Sequence, residues 1–251
     1  MRLFDLTARK AIVTGAAGGL GKAMAEGLHE AGAEVVIIDV AASGERTASK
    51  IGETGSPVHF VQADLLDRSQ LNRAFDIALE KLNGDLDIIV NNVGMHIRKP
   101  SCGYQMADWD KVLGLNLDTQ FMFCQRAGEH MLQKGYGKII NIASIIGVTG
   151  GLNATAYCAS KGGVIAMSKS LSNEWAEKGI QVNVIAPGYI AETAMNDDMD
   201  EARKENIAQR IPKGQWGHPD DLKGAVVFLA SEASDYVCGI VLPVDGGFLA
   251  R

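Results

Sequence analysis

Tyr157 and Lys161 stand four residues apart in the run Thr155-Ala-Tyr-Cys-Ala-Ser-Lys-Gly-Gly163. On a helix that spacing puts both side chains on one face, so phenol and ammonium project into one small volume. A phenol with an ordinary pKa of about 10 is a poor proton-transfer group at neutral pH, and a fixed positive charge close by favours its phenolate. The pair is a candidate general base with its electrostatic partner. The same spacing also fits an ordinary helix carrying one Tyr and one Lys, so a cofactor, a third partner and a substrate pocket have to come from elsewhere in the chain.

The elements that would position such a pair alternate in type. The apolar run Lys10–Thr14 leads into Gly15-Ala-Ala-Gly18-Gly19-Leu20-Gly21, and Leu20, Met24 and Leu28 then recur at helical spacing. A strand feeding a glycine turn and a helix start is a phosphate site: glycines admit close approach, and free amides at the helix start favour an anion. Glu34–Asp39 reads as a buried parallel strand ending in a carboxylate, close to the spacing at which an acid accepts the adenosine ribose hydroxyl of NAD. Val40 follows instead of a cation, and Asp39 would repel a 2′-phosphate, so the reading is NAD rather than NADP. The other reading of Asp39 is a solvated acid at a strand end.

Val58–Gln62 is the next strand, followed by Asp64, placed to reach the adenine edge, and Leu65 beside it. An amphipathic stretch over Leu65–Leu82 precedes a strand over Leu86–Val90, which ends in Asn91-Asn92-Val93-Gly94. Amides and a glycine at the carboxyl end of a central strand can brace the sheet and let a cofactor pass close to the backbone. Strands are expected again over Lys138–Ile142, Gln181–Ile185 and Ile240–Val244, with helices over Trp109–Lys134 and His218–Ser231. Such alternation predicts one α/β domain over residues 1–251, a parallel sheet with helices on both faces.

Composition narrows the partners. A net charge of −6 without a basic tract argues against nucleic acid, and no stretch approaches the roughly 20 apolar residues of a membrane span. A cytoplasmic protein is expected. Cys102, Cys124, Cys158 and Cys238 are scattered and read as buried small apolar residues. His29, His59, His96, His130 and His218 lack metal-ligand spacing, so no metal is expected.

Thr14-Gly15, Gly19-x-Gly21, Asp64, Asn91-Asn92-x-Gly94, Asn116, Ser144, Tyr157-x-x-x-Lys161 and Pro187-Gly188 together resemble the short-chain dehydrogenase/reductase family over essentially the full chain. Val93 stands where that family usually has Ala. The resemblance implies a single-domain, doubly wound Rossmann fold that interconverts a secondary alcohol and a ketone. It makes Asn116, Ser144, Tyr157 and Lys161 the catalytic set, with Asn116 in a kink holding a water on the proton path to the lysine. From the residues alone, Asn116 could equally be structural. The Ser144 hydroxyl can hydrogen-bond the reacting carbonyl; a nucleophilic serine is disfavoured because Gly-x-Ser-x-Gly is absent around it. Pro187, Gly188 and Ile190 would border the nicotinamide, Thr193 would contact the pyrophosphate or carboxamide, and Lys161 would also hold the nicotinamide ribose. The family further implies a homotetramer.

Ile97-Arg98, Asn173-Glu-Trp-Ala176, Arg210-Ile-Pro-x-Gly-x-Trp-Gly217 and the terminus from Asp245 resemble the sugar-acid branch of the family, the keto-deoxy-gluconate 5-dehydrogenases and gluconate dehydrogenases. Gln215 and Phe248 depart from that branch, which usually has Arg and Trp there. A guanidinium suits a carboxylate by bidentate bonding, which makes Arg98 and Arg210 candidates for the substrate acid group. Surface or interface ion pairs are the other reading of both. Residues 189–213 are rich in charge and read as a substrate lid or an exposed helix. Two alternatives share these motifs: a 3-oxoacyl-thioester reductase, which usually draws on NADPH and so conflicts with Asp39, and a cofactor-binding regulatory protein on the same fold.

Overall fold

A computed structural model of the chain describes residues 2–191 and 200–251. Its strands are β1 (Lys10–Thr14), β2 (Glu34–Asp39), β3 (Val58–Gln62), β4 (Ile88–Asn91), β5 (Gly137–Ile142), β6 (Ile180–Pro187) and β7 (Val241–Val244). They form one parallel sheet in the order β3-β2-β1-β4-β5-β6-β7. The order reverses between β1 and β4, and a doubly wound sheet opens a crevice beyond the carboxyl ends of its strands at such a point.

Side-chain alternation along the strands sends residues to two cores. Val35 and Ile37 of β2 join one cluster while Val36 and Ile38 join the other, and β1 and β4 alternate in the same way. The first core is closed by α1 (Gly19–Glu30), α2 (Gly44–Ile51) and α9 (Lys223–Ala230). Helices α3 (Arg68–Lys81), α5 (Thr119–Lys134) and α7 (Thr155–Trp175) close the second. Since both sheet faces are covered, the strands are mostly apolar, with β1, β2 and β4 the most continuous.

Several elements differ from the sequence expectation. The stretch Trp109–Lys134 is divided: α4 (Met106–Leu113) passes through a π-helical turn, Gly114–Asp118, into α5. Helix α2 carries too few apolar residues for its periodicity to announce it; Ala48 and Ile51 alone reach the core. The stretch expected as one helix from His218 begins as a 3₁₀ turn, Pro219–Leu222, before α9. A short α6 (Ile146–Thr149) lies between β5 and α7, and α8 is Glu201–Arg210. Of the four cysteines only Cys124 is buried; Cys158 is half-buried, and Cys102 and Cys238 are exposed, lying on connections rather than on a core-facing helix side.

Candidate active site

A cleft of about 630 Å³ runs along the carboxyl ends of the central strands. Its nucleotide end is the turn after β1. Gly15 has φ +66°, in the left-handed region, and a Cβ on Gly21 would collide with the Gly15 carbonyl oxygen, so α1 starts as close to β1 as backbone allows. The N-terminus of α1 has no side-chain cap, which leaves its first amides free for an anion. Asn92 locks this turn: its Nδ2 donates to the carbonyls of Thr14 and Gly15 at 3.1 and 2.8 Å.

Asp39 is held in the same framework. One carboxylate oxygen accepts the Ala17 amide of the glycine turn and the other accepts the Ala41 amide, both at 2.9 Å. Gly18, Gly19, Leu20, Asp64 and Leu65 also line this end. Pro187, Gly188 and Ile190 line the far end, with Gly94 between. Together these groups make a cradle of dinucleotide shape, with bare amides at one point and a carboxylate beyond them; a nicotinamide dinucleotide fits it, and such a cofactor supplies the hydride acceptor or donor.

The chemistry sits where β5 and α7 face this cradle. Ser144, just after β5, lines the cleft beside the Tyr157 phenol and acts to lower its pKa. Lys161, one turn along α7, places its Nζ 5.8 Å from the Tyr157 ring centroid and donates to the Ile142 carbonyl at 2.8 Å. The side chains therefore share one volume, as their spacing requires. In the protein alone, however, burial dominates both pKa values. It pushes Tyr157 up to about 12, against the lowering effects of the Ser144 hydroxyl and the Arg98 charge, and pulls Lys161 down to about 7. Lys161 is not among the groups that lower the phenol, so the expected effect of the ammonium is not seen in the protein alone, where desolvation dominates.

Asn116 lies in the π-helical turn, fully buried. Its Nδ2 donates to the Met95 carbonyl and the Ser160 hydroxyl at 2.9 and 3.0 Å, and its Oδ1 accepts the Met95 amide at 2.8 Å. A widened turn is what lets a mid-helix amide reach a neighbouring strand end. Gly94 explains the space beside it: a Cβ there would lie 3.2 Å from Asn116 Oδ1 and 3.4 Å from Lys161 Nζ. The absent side chain leaves the Asn–Lys interval open.

Three expected site residues, Asn91, Asn116 and Arg210, do not line the cleft. The Asn91 side chain is fully buried and donates to Asn141 Oδ1 at 2.8 Å on β5. Period-two alternation puts residue 91 on the same sheet face as Ile89, under α5, and leaves the cleft to Asn92. Arg210 ends α8 on its exposed side, its guanidinium 5.0 Å from the Phe248 ring centroid rather than in the cleft. Thr193 lies outside the described residues, as does part of the expected lid, residues 192–199. The described part of that lid, 189–191 and 200–213, includes α8, which is mostly exposed; Ile207 on it and Ile211 just after it pack with Tyr189, Trp216 and Phe248.

Arg98 does line the cleft, and among the described residues no carboxylate pairs with it. Burial and the charge of Arg203 lower its pKa from the ordinary value. Two lining residues went unmarked in the sequence. Tyr189 packs at 5.3 Å from Trp216 and 5.5 Å from Phe248. His96 stacks on Tyr157 at 4.6 Å between centroids and 24° between planes. Burial, then the charges of Arg98 and Arg203, push its pKa down to about 4. Both follow the ends of central strands, which is the one signal that could have drawn attention to them.

The switch-point cradle and the Ser–Tyr–Lys cluster define a nicotinamide-dependent oxidoreductase acting on a CH–OH group. A family model described as enoyl-(acyl carrier protein) reductase matches residues 15–249, and the chain belongs to the short-chain dehydrogenase/reductase family. It is 44% identical over 251 residues to 2-dehydro-3-deoxy-D-gluconate 5-dehydrogenase of Bacillus subtilis (strain 168), covering 99% of this chain and 97% of that one. It is 39% identical over 248 residues to 3-oxoacyl-[acyl-carrier-protein] reductase FabG of Rickettsia typhi, covering 98% and 99%. A gluconate 5-dehydrogenase from Burkholderia cenocepacia, solved in complex with NADP and tartrate, superposes with a TM-score of 0.94 at 38% identity, covering 100% of this chain and 98% of that one.

Proposed function

We propose that the protein is an NAD-dependent dehydrogenase of a sugar acid, a keto-deoxy-gluconate or a gluconate, oxidising one secondary alcohol to a ketone. The observation that carries this reading is the position of Arg98: a guanidinium with no carboxylate partner among the described residues, in the same cleft as Ser144 and Tyr157, gives a carboxylate-bearing substrate a second anchor beside the reacting carbon. Similarity to the sugar-acid dehydrogenases supports it.

In this mechanism Ser144 and Tyr157 hold the substrate oxygen between them. Tyr157, as its phenolate, would take the hydroxyl proton as the hydride leaves for a bound nicotinamide, and Lys161 would then take that proton from Tyr157 and pass it on through the interval beside Gly94 and Asn116. Lys161 would hold the nicotinamide ribose, while Asp39, with Asp64 beside it, would hold the adenosine end. Proton transfer by a positioned group of this kind contributes about 10²–10⁴ in rate.

Support for NAD over NADP rests on Asp39, whose charge opposes a 2′-phosphate, and on the absence of a cation beside it: Arg98 and Lys161 are the only Arg or Lys among the described lining residues. The NADP of the Burkholderia structure is a property of that protein. The proposal extends to a cytoplasmic homotetramer in which α5, with Phe121 exposed, and α7 pack against their copies, and to a lid at 189–213. Among the described residues no helix is long and apolar enough to cross a membrane. A reductase of 3-oxoacyl thioesters is the second reading, favoured by the FabG similarity and opposed by Asp39 and Arg98.

A hydride-transfer assay with sugar acids, polyols and acetoacetyl thioesters, each with NAD and with NADP, tests these readings together. Fastest turnover is expected for a sugar acid with NAD. Preference for the thioester, or for NADP, overturns the corresponding half.

A further inference from the structure

His96 has no part in the proton transfer described above, yet the fold fixes it beside the reacting phenol. On one side, Met95 is pinned through both its amide and its carbonyl to the Asn116 side chain. On the other, the Ile97 carbonyl accepts from the Tyr104 hydroxyl at 3.1 Å. Between these clamps the imidazole lies on the cleft wall, stacked on the Tyr157 ring. Its Nε2 is shielded from solvent and has no hydrogen-bond partner among the described residues. A shielded polar atom without a partner is costly, and the cost is removed when a ligand supplies the missing hydrogen bond.

We propose that His96 is a specificity residue that hydrogen-bonds a hydroxyl on the carbon next to the one being oxidised, so that the cleft selects a vicinal diol over a lone secondary alcohol. The inference rests on the reading that Tyr157 acts on a secondary alcohol. An oxygen held by Ser144 and Tyr157 leaves the substituent of the adjacent carbon at the flank of the phenol, where the stacked imidazole lies. In neutral imidazole Nε2 is a donor or an acceptor according to the tautomer; a hydroxyl can meet it in either role, and neither a methylene nor an acyl chain can. A site built to bond a hydroxyl rejects the analogue lacking it far more strongly than an apolar pocket rejects an added group.

The experiment compares wild type, His96→Phe and His96→Gln on two substrate pairs: gluconate against its deoxy analogue, and butane-2,3-diol against butan-2-ol. Phenylalanine keeps the stack and removes both ring nitrogens; glutamine keeps hydrogen-bonding capacity without the ring. Wild type is expected to favour the hydroxylated member of each pair in kcat/KM by about tenfold or more. His96→Phe should lower kcat/KM for that member about tenfold and leave the other within about twofold, with partial recovery in His96→Gln. Equal losses on both members, an unchanged ratio, or no discrimination by wild type overturns the inference; if His96→Phe does not fold, an unchanged ratio in His96→Leu does so. Inactivity on gluconate with the expected pattern on the uncharged pair overturns the sugar-acid reading instead and leaves His96 in place.

Discussion

On the β1–β2 side of the cleft the polar groups already hold one another. Asp39 accepts two backbone amides, Asn92 donates to two carbonyls, and the glycine turn fits without room for a Cβ at Gly21. On the β4–β6 side Asn116 is satisfied, but the groups facing the substrate are not: among the described residues Arg98 has no carboxylate and His96 Nε2 has no partner, and Lys161 is buried against one carbonyl. A dinucleotide presents the same phosphates and ribose at every turnover, so its site can be finished in advance. A substrate site left unsatisfied holds free energy that only the right ligand releases. The contrast makes a general expectation: changes on the first side cost stability as well as binding, and changes on the second cost activity while sparing or raising stability.

The largest effect belongs to Tyr157, on the unsatisfied side. Tyr157→Phe should lower kcat by about 10²–10⁴ or more while the dissociation constant for NAD, read by fluorescence titration, stays within about twofold. Retention of most of the activity sinks the assignment of the base.

Asp39→Ala and Arg98→Gln form a matched pair across the divide. Losing the Asp39 carboxylate removes an acceptor for two amides and for the ribose. Here kcat/KM with NAD should fall about tenfold or more, with NADP unchanged or improved, and Tm should drop by a few degrees. Arg98→Gln should raise KM for a sugar acid about tenfold, leave a neutral diol unaffected, and leave Tm unchanged or higher, because no ion pair among the described residues is lost. Melting curves decide the comparison. If Arg98→Gln destabilises as much as Asp39→Ala, the two sides are not built differently.

The same contrast explains what the sequence could disclose. Groups that pair with the backbone must sit at fixed offsets from a turn or a strand end, and the glycine run, Asp39 and the Tyr-x-x-x-Lys spacing were readable for that reason. The sheet was readable too, since strands buried on both faces are mostly apolar. Asn91 was misplaced because a motif names residues without the alternation that assigns them a face; the Asn91–Asn141 cross-strand pair belongs to the α5 side. Arg210 was misplaced because charge says nothing of which side of α8 it occupies. His96 was missed because its position follows from clamps far away in sequence, Asn116 and Tyr104, which no local spacing records. Helix α2 was missed because only two apolar side chains were needed to anchor it.

The smallest and most discriminating effect is that of Lys161 on stability. Lys161→Met should abolish turnover, which any account of the site expects; its effect on the free protein's stability is less obvious. Burial holds the Lys161 pKa at about 7 in the folded protein against 10.5 ordinarily. Between those values the unfolded chain binds a proton that the folded one does not, so this group makes wild-type stability rise with pH across the window. Below pH 7 both states carry the charge, and the folded state bears the full cost of burying it. Methionine fills the same stem without that cost, and the Ile142 carbonyl keeps its bond from Gln120 Nε2 at 3.2 Å. Lys161→Met should therefore raise Tm on the order of 5 °C at and below pH 7, with the advantage shrinking toward zero near pH 10.5. A difference independent of pH, or a lower Tm, would mean that Lys161 is satisfied where it stands, and the unsatisfied half of the cleft would lose its central member.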